Sequence, residues 1–281
     1  MRLAAIQYCA GADVQENLRE AGARIAEAVE GGARLVVLPE NFACYGGDYR
    51  ALAGHGIETV TEWLATQARE QAVWLLGGSL PLAVRPDGEP VPAPRVRAAS
   101  LLVGPDGTLR ARYDKLHLFD ALVPDAQGSY CESRQFEPGD RLVTAQVDQF
   151  TLGMAVCYDL RFPSLARALA DHGSDLLVYP SAFTAVTGAA HWELLLRARA
   201  VETGCYVLGV NQCGQHSERR ASYGHSMLVD PWGRVQATLA DRPGVLLGEV
   251  LRNEIDDVRH RLPVHTHQRL LTGLPDDIRD N

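Results

Sequence analysis

The 281-residue chain has no apolar run close to the roughly 20 residues that a membrane-spanning helix needs. It has no Lys/Arg cluster, and 35 Asp and Glu against 27 Lys and Arg leave a formal charge of −8. A surface of that sign repels phosphate backbones, so neither nucleic acid nor membrane is an expected partner. There is no CxxC pair: Cys9, Cys44, Cys131, Cys157, Cys205 and Cys213 lie far apart. Such scatter points to reduced thiols in a cytoplasmic protein, not to a disulfide framework, and it matches no zinc-binding spacing. No metal or other cofactor is therefore expected. The opening stretch "MRLAAIQYCAGADVQENL" has too short an apolar segment, followed too soon by acidic residues, for a signal peptide. Low-complexity segments and composition breaks are also missing. Residues 1–281 read as one domain, with a core over about 2–262 and a tail from about 263.

What the chain does have is alternation. Residues 2–8 look like a strand, and Leu18, Ala21, Ile25 and Val29 then recur at helical spacing, with Asp13 as N-cap and Gly31 as stop. "RLVVLPE" and "VWLLGG" are continuous apolar runs, the pattern of strands covered on both faces, with a helical stretch around 58–71 between them. Residues 81–95 are proline-rich and read as an exposed excursion. "AASLLVGPDGTLRARYD" has the pattern of a hairpin, and a long loop is expected over roughly 116–139. Strands at "RLVTAQV", "TLGMAV", "DLLVYPSAF" and "CYVLGVNQ" alternate with helices at about 163–171 and at "HWELLLRARAVETG". Helices apolar on one side belong on the outside of buried sheets, which makes this an α/β fold.

Three strand ends carry reactive side chains, the place where sites form in open α/β sheets. Glu40 leaves the run "LVVLPEN", Lys115 follows the strand in "ARYDKLHLFD", and Cys157 ends "GMAVCYDLRFP". Alone, each has a plain reading: a solvated carboxylate, a loop lysine, a small core thiol. Together they form a working set. Cys157 is a nucleophile, and the helix opened by Pro163 is expected to lower its pKa and favour the thiolate. Glu40 is its base if burial raises the carboxyl pKa, and Lys115 is a donor for a developing oxyanion.

In "LPEN", "YDKLHLFD" and "CYDLRFP" the chain resembles the nitrilase-related carbon–nitrogen hydrolases over about residues 2–262. The resemblance implies a four-layer α-β-β-α sandwich of the nitrilase type, a likeness to family members that form homodimers, and a cofactor-free amide hydrolysis through a cysteine thioester. It also assigns a second glutamate, Glu132 in "YCESRQFEPGD", the placing of the substrate or of the base–lysine pair. "PSAFTAVTGAAHWELLLRARAVETGCYV" and "RASYGHSMLVDPWG" are similar to the branch holding deaminated glutathione amidases and omega-amidases. That branch implies a small-molecule amide substrate, a terminal carboxamide beside a 2-oxo acid, with release of ammonia. Carbamoyl-amide or nitrile hydrolysis, or a catalytically silent binding protein, are the alternatives.

Other residues are candidates of lesser weight. Tyr158, Arg161, Phe183 and Thr184 are placed to contact substrate. Arg161 is either a fork for a substrate carboxylate or the partner of Asp159 in an ion pair that braces the turn. Arg219 or Arg220 is a second possible fork. Cys205, Cys213, His216 and His225 read as structural, and Tyr223 and Trp232 as packing or dimer-contact residues.

Overall fold

Apolar runs too short for helices, joined by one-sided helices, bury their surface only as sheets sandwiched between helical layers. That arrangement is seen in a computed structural model, which describes residues 1–267; residues 268–281, most of the expected tail, lie outside the described residues. β1 (Arg2–Gln7), β2 (Leu35–Val37) and β3 (Trp74–Leu82) run parallel, and β4 (Arg97–Val103) and β5 (Leu109–Asp114) extend the sheet antiparallel. β6 (Asp120–Leu122) and β7 (Ser129–Cys131) form a separate hairpin. β8 (Thr144–Val147), β9 (Phe150–Met154), β10 (Leu176–Ser181) and β11 (Tyr206–Asn211) build most of the second sheet. A second hairpin, β12 (Cys213–Ser217) and β13 (Arg220–Tyr223), precedes β14 (Met227–Val229) and β15 (Val235–Thr238). β16 (Gly244–Glu249) returns to β1. The two six-stranded sheets have the orders β16-β1-β2-β3-β4-β5 and β15-β14-β11-β10-β9-β8.

The period-2 rule shows where each face goes. Leu3 and Ala5 of β1 join the core shared with the second sheet, whereas Ala4 and Ile6 pack with the helical layer. That layer is α1 (Val14–Glu30) and α3 (Ile57–Glu70), reached past α2 (Tyr49–His55). On the far side, α4 (Pro163–Asp171) and α5 (Ala185–Thr203) cover the second sheet. The result is the four-layer α-β-β-α sandwich. Leu64 of α3 is fully buried; truncating such a leucine to alanine typically costs about 2–5 kcal/mol. α6 (Arg252–Arg261) and α7 (Val264–His267) end the described chain. No described helix is long and apolar enough to cross a membrane.

Local chemistry sets the boundaries. Asp13 Oδ1 accepts from Glu16 N at 3.1 Å and starts α1, and Gly31 ends it. Thr184 Oγ1 accepts from Thr187 N at 3.1 Å, so α5 begins at Ala185, ahead of the expected start near His191. The loop expected over 116–139 carries the β6–β7 hairpin and a 3₁₀ turn, Glu132–Arg134, elements too short to show a period. The proline-rich excursion is only partly exposed. Val91 is buried, and Arg50 Nη1 donates to the Val91 and Arg95 carbonyls at 3.2 and 2.9 Å.

Candidate active site

Glu40 leaves the first sheet just past β2, Lys115 follows β5 directly, and Cys157 lies just beyond β9 of the second sheet. Packing sheet on sheet brings these three ends together. Lys115 Nζ donates to Glu40 Oε1 at 2.8 Å and to both oxygens of Glu132 at 2.8 and 2.9 Å. Glu132 Oε2 also accepts from Phe119 N at 2.6 Å, which ties the long loop to the lysine. Lys115 and Glu40 are almost wholly buried. Burial works against the Lys115 ammonium, but the charges of Glu132 and Glu40 outweigh it and hold its pKa well above the ordinary lysine range. Burial pushes the Glu132 carboxyl up against the pull of Lys115, and the Glu40 charge adds to the rise.

The backbone beneath the pair is tight. A Cβ on Gly78 of β3 would lie 1.8 Å from the Pro39 carbonyl oxygen, and one on Gly139 would lie 2.1 Å from that of Asp114. Only glycine lets the chain pass so close to the residues just before Glu40 and Lys115. Gln212 adds a crosslink: its Nε2 donates to the Glu40 carbonyl at 2.9 Å and its Oε1 accepts from Ala10 N at 3.0 Å.

Cys157 stands at φ +50 at the start of a 3₁₀ turn, Cys157–Arg161. A non-glycine residue held there costs of order 1–3 kcal/mol and needs a surrounding structure that enforces it. Asp159 supplies that structure. Its Oδ2 accepts from Val156 N at 2.8 Å and from the Tyr113 hydroxyl at 2.6 Å; its Oδ1 accepts from His117 N and Nδ1 at 3.1 and 2.7 Å. One fully buried carboxylate thus pins the cysteine turn to the segment carrying Lys115. This corrects one alternative from the sequence: Asp159 is not the ion-pair partner of Arg161. Arg161 Nη1 donates instead to His191 Nδ1 at 3.2 Å, and its guanidinium lies 5.1 Å from the Phe183 ring and 5.9 Å from that of Tyr158.

The thiol pKa is also corrected. Burial first, then the Glu40 charge, raise Cys157 well above the ordinary thiol range, outweighing Lys115 and the Ala182 N–H. Pro163 does open α4, but a 3₁₀ turn lies between it and Cys157, and burial and the Glu40 charge set the direction of the thiol pKa. The thiol faces Glu40, an arrangement that lets a proton pass from sulfur to carboxylate.

Cys157, Glu40, Lys115 and Glu132 line a cavity of about 470 Å³. Tyr45, Phe119, Tyr130, His216 and Arg220 complete its wall; of these, only Arg220 was a candidate from sequence as a substrate contact. Phe119 and Tyr130 lie inside the quoted Lys115 and Glu132 motifs without having been singled out, and Tyr45 and His216 come from a distant loop and hairpin with no motif to mark them. Tyr158, Arg161, Phe183 and Thr184 gather around a smaller recess on another side of Cys157, and Thr184 is occupied in capping α5. A larger cleft of about 610 Å³ runs along α5 to Tyr223 and Trp232 and holds none of the reactive groups, so size alone does not mark the site. Among the described residues, no three His, Cys, Asp or Glu side chains gather as metal ligands. Cys205 Sγ donates to the Ser174 carbonyl at 3.0 Å, and His225 stacks on Tyr223.

Comparison with known proteins gives this geometry a family. The carbon-nitrogen hydrolase family matches residues 2–260. A deaminated glutathione amidase from Synechocystis sp. is 41% identical, covering 94% of this chain and 97% of its own. The human omega-amidase NIT2 is 36% identical, covering 95% of each. The crystal structure of Saccharomyces cerevisiae Nit3, of the nitrilase superfamily, superposes with a TM-score of 0.82 at 30% identity over 94% of both chains. The chain belongs to the carbon-nitrogen hydrolase family, and it is an enzyme of the amidase kind with the nitrilase-superfamily fold.

Proposed function

We propose that this amidase works through a thioester on Cys157 and takes deaminated glutathione in preference to 2-oxoglutaramate. The convergence of Glu40, Lys115 and Cys157 from three strand ends supports the reading most directly. Glu40 accepts the thiol proton as Sγ attacks the amide carbon. The oxyanion forms against Lys115 Nζ and the N–H of Tyr158, donors of a kind worth about 3–4 kcal/mol when one is removed. The C–N bond then breaks, and the nitrogen leaves with the proton from Glu40. Water, deprotonated by Glu40, cleaves the thioester and restores the thiol. Glu132 positions the lysine and touches no reacting atom. Tyr158, Arg161, Phe183 and Thr184 contact substrate in this reading, with no metal or cofactor in any step.

The substrate order rests on the relatives: of the two human enzymes, the deaminated glutathione amidase is 41% identical and the omega-amidase 36%, although the deaminated glutathione amidase of Yersinia enterocolitica is also 36%. The leaving group distinguishes the two. 2-Oxoglutaramate has a primary carboxamide and gives ammonia, as expected for a terminal amide. Deaminated glutathione has only peptide-type amides and gives an amine. The test is kcat/KM for both on one preparation, with ammonia and amine assayed separately. A preference of about tenfold or more for 2-oxoglutaramate makes the enzyme an omega-amidase instead. We further read residues 1–281 as one domain in a cytoplasmic homodimer. Exposed Leu194, Val201 and Trp232 beside α5 support a covered face there.

A further inference from the structure

Arg220 opens β13 and lines the cavity that holds Cys157. Its surroundings are unusual for an arginine. The guanidinium lies 5.3 Å from the Tyr130 ring centre and 5.7 Å from that of Tyr45. Nη1 donates to its neighbour's carbonyl, Ala221 O, at 2.9 Å, and Nη2 donates to the Ala182 carbonyl. Ala182 is also the residue whose N–H faces the Cys157 thiol. The guanidinium is therefore held between two rings and anchored to the backbone next to the reacting atom.

What it lacks, among the described residues, is a carboxylate at ion-pair distance; the Asp125 charge reaches it only from farther off. The ionisable groups that bear most on it are two phenols, Tyr45 and Tyr130, and the Cys157 thiol. None is charged near neutral pH. Burial pushes the Tyr45 phenol up to about 12, and Cys157 is raised well above its ordinary range. Tyr130 gives its hydroxyl proton to Asp125 Oδ2 at 2.8 Å, so Asp125 is engaged there. The nearest imidazole brings no charge either. His216 is stacked on Tyr45 at 4.0 Å and is lowered to about 4 by burial, donating from Nδ1 to the Ala10 carbonyl and accepting from Ser222 at Nε2. A cation removed from water normally keeps a carboxylate beside it. Here two of five N–H donors are spent on carbonyls, the Tyr45 phenol also bears on the fork, and the side chain lines the Cys157 cavity.

We propose that Arg220 is the carboxylate subsite of this enzyme: the preferred amides carry an anionic group that Arg220 binds while Cys157 attacks. This deepens the substrate reading above, which requires a 2-oxo acid or peptide carboxylate but assigns it no partner in this cavity. It also separates Arg220 from Arg161, which lies at the smaller recess, and from Arg219, whose side chain is exposed.

The test compares deaminated glutathione with two analogues, each having one of its two carboxylates replaced by a carboxamide, on wild type and on Arg220→Gln. 2-Oxoglutaramate and its neutral diamide are run in parallel, so rejection of deaminated glutathione ends the substrate reading while still leaving a pair that decides the role of Arg220. For one carboxylate, wild type should favour the anion in kcat/KM by about 10- to 150-fold, and Arg220→Gln should abolish that preference. Arg220→Lys, which keeps the charge and loses the fork, should retain part of it and covers the case of a poorly folded glutamine variant. If Arg220→Gln and Arg220→Lys slow anionic and neutral amides equally, or if wild type shows no preference for any carboxylate, the proposal is overturned.

Discussion

Both carboxylate oxygens of Glu132 lie on Lys115 Nζ, at 2.8 and 2.9 Å, and the same carboxylate reaches Phe119 N. The lysine is thus a positive charge fixed in place by its neighbours, which is what electrostatic stabilisation of an oxyanion needs. Glu132→Gln keeps the shape and removes the charge. The expected outcome in steady-state kinetics is a fall in kcat of about 10- to 150-fold with KM changed only a few-fold, because the group acts through Lys115. An unchanged kcat would remove Glu132 from the positioning role.

Glu40 has two separable effects on Cys157. Its charge helps raise the thiol pKa, and in the proposed mechanism its carboxylate takes the proton. Glu40→Gln should therefore move reactivity and turnover in opposite directions. With the charge gone, the Cys157 pKa falls, so the thiolate fraction at a given pH grows and iodoacetamide labelling of Cys157 sets in at lower pH than in wild type. Turnover falls by about 10²–10⁴ for loss of the base. Peptide mass spectrometry across a pH series reads the first effect. A labelling midpoint that stays put or moves up contradicts it.

Glu137 shows how the Lys115 segment is held. Its carboxylate accepts from Arg85 at 2.8 and 3.1 Å and from Arg97 at 3.0 Å, and Gly139 follows two residues on. The hydrogen bonds from Arg85, followed by Arg97, lower its pKa to about 2. A carboxylate depressed in the folded state stabilises above its unfolded pKa, and the contribution is lost as pH falls through the folded value. Glu137→Gln should be less stable than wild type by about 1.5–3 kcal/mol at pH 7, and the difference should close as pH drops from about 4.5 toward about 2. Denaturant unfolding at several pH values measures it. A gap of constant size would show that packing, not charge, is what Glu137 contributes.

The fold was legible wherever a period was long enough to register. α1 and α4 and the buried strands came through because an apolar face repeats over several turns or a whole strand. α2 and the β6–β7 hairpin are too short to leave such a signature. The reactive residues were legible because each ends a strand and belongs to a local motif. Their support was not. Asp159 acts on Tyr113 and His117 more than 40 positions away, and Tyr45, Tyr130 and His216 meet Arg220 or one another only when three hairpins and loops fold over the sheets. The direction of the Cys157 pKa was misjudged for a related reason. The helix terminus is visible in sequence, but burial and the nearness of Glu40 are tertiary facts.

The central claim is a covalent acyl-enzyme on Cys157, and partitioning tests it most directly. Deaminated glutathione and 2-oxoglutaramate differ in leaving group but would deliver the same acyl group to the thiol. With methanol present during turnover, the thioester divides between water and methanol after the leaving group has gone. The ratio of methyl ester to acid should then be the same from both amides at each methanol concentration, and neither product should form with folded Cys157→Ala. Different ratios from the two amides, or continued turnover by the alanine variant, would contradict a common intermediate on Cys157.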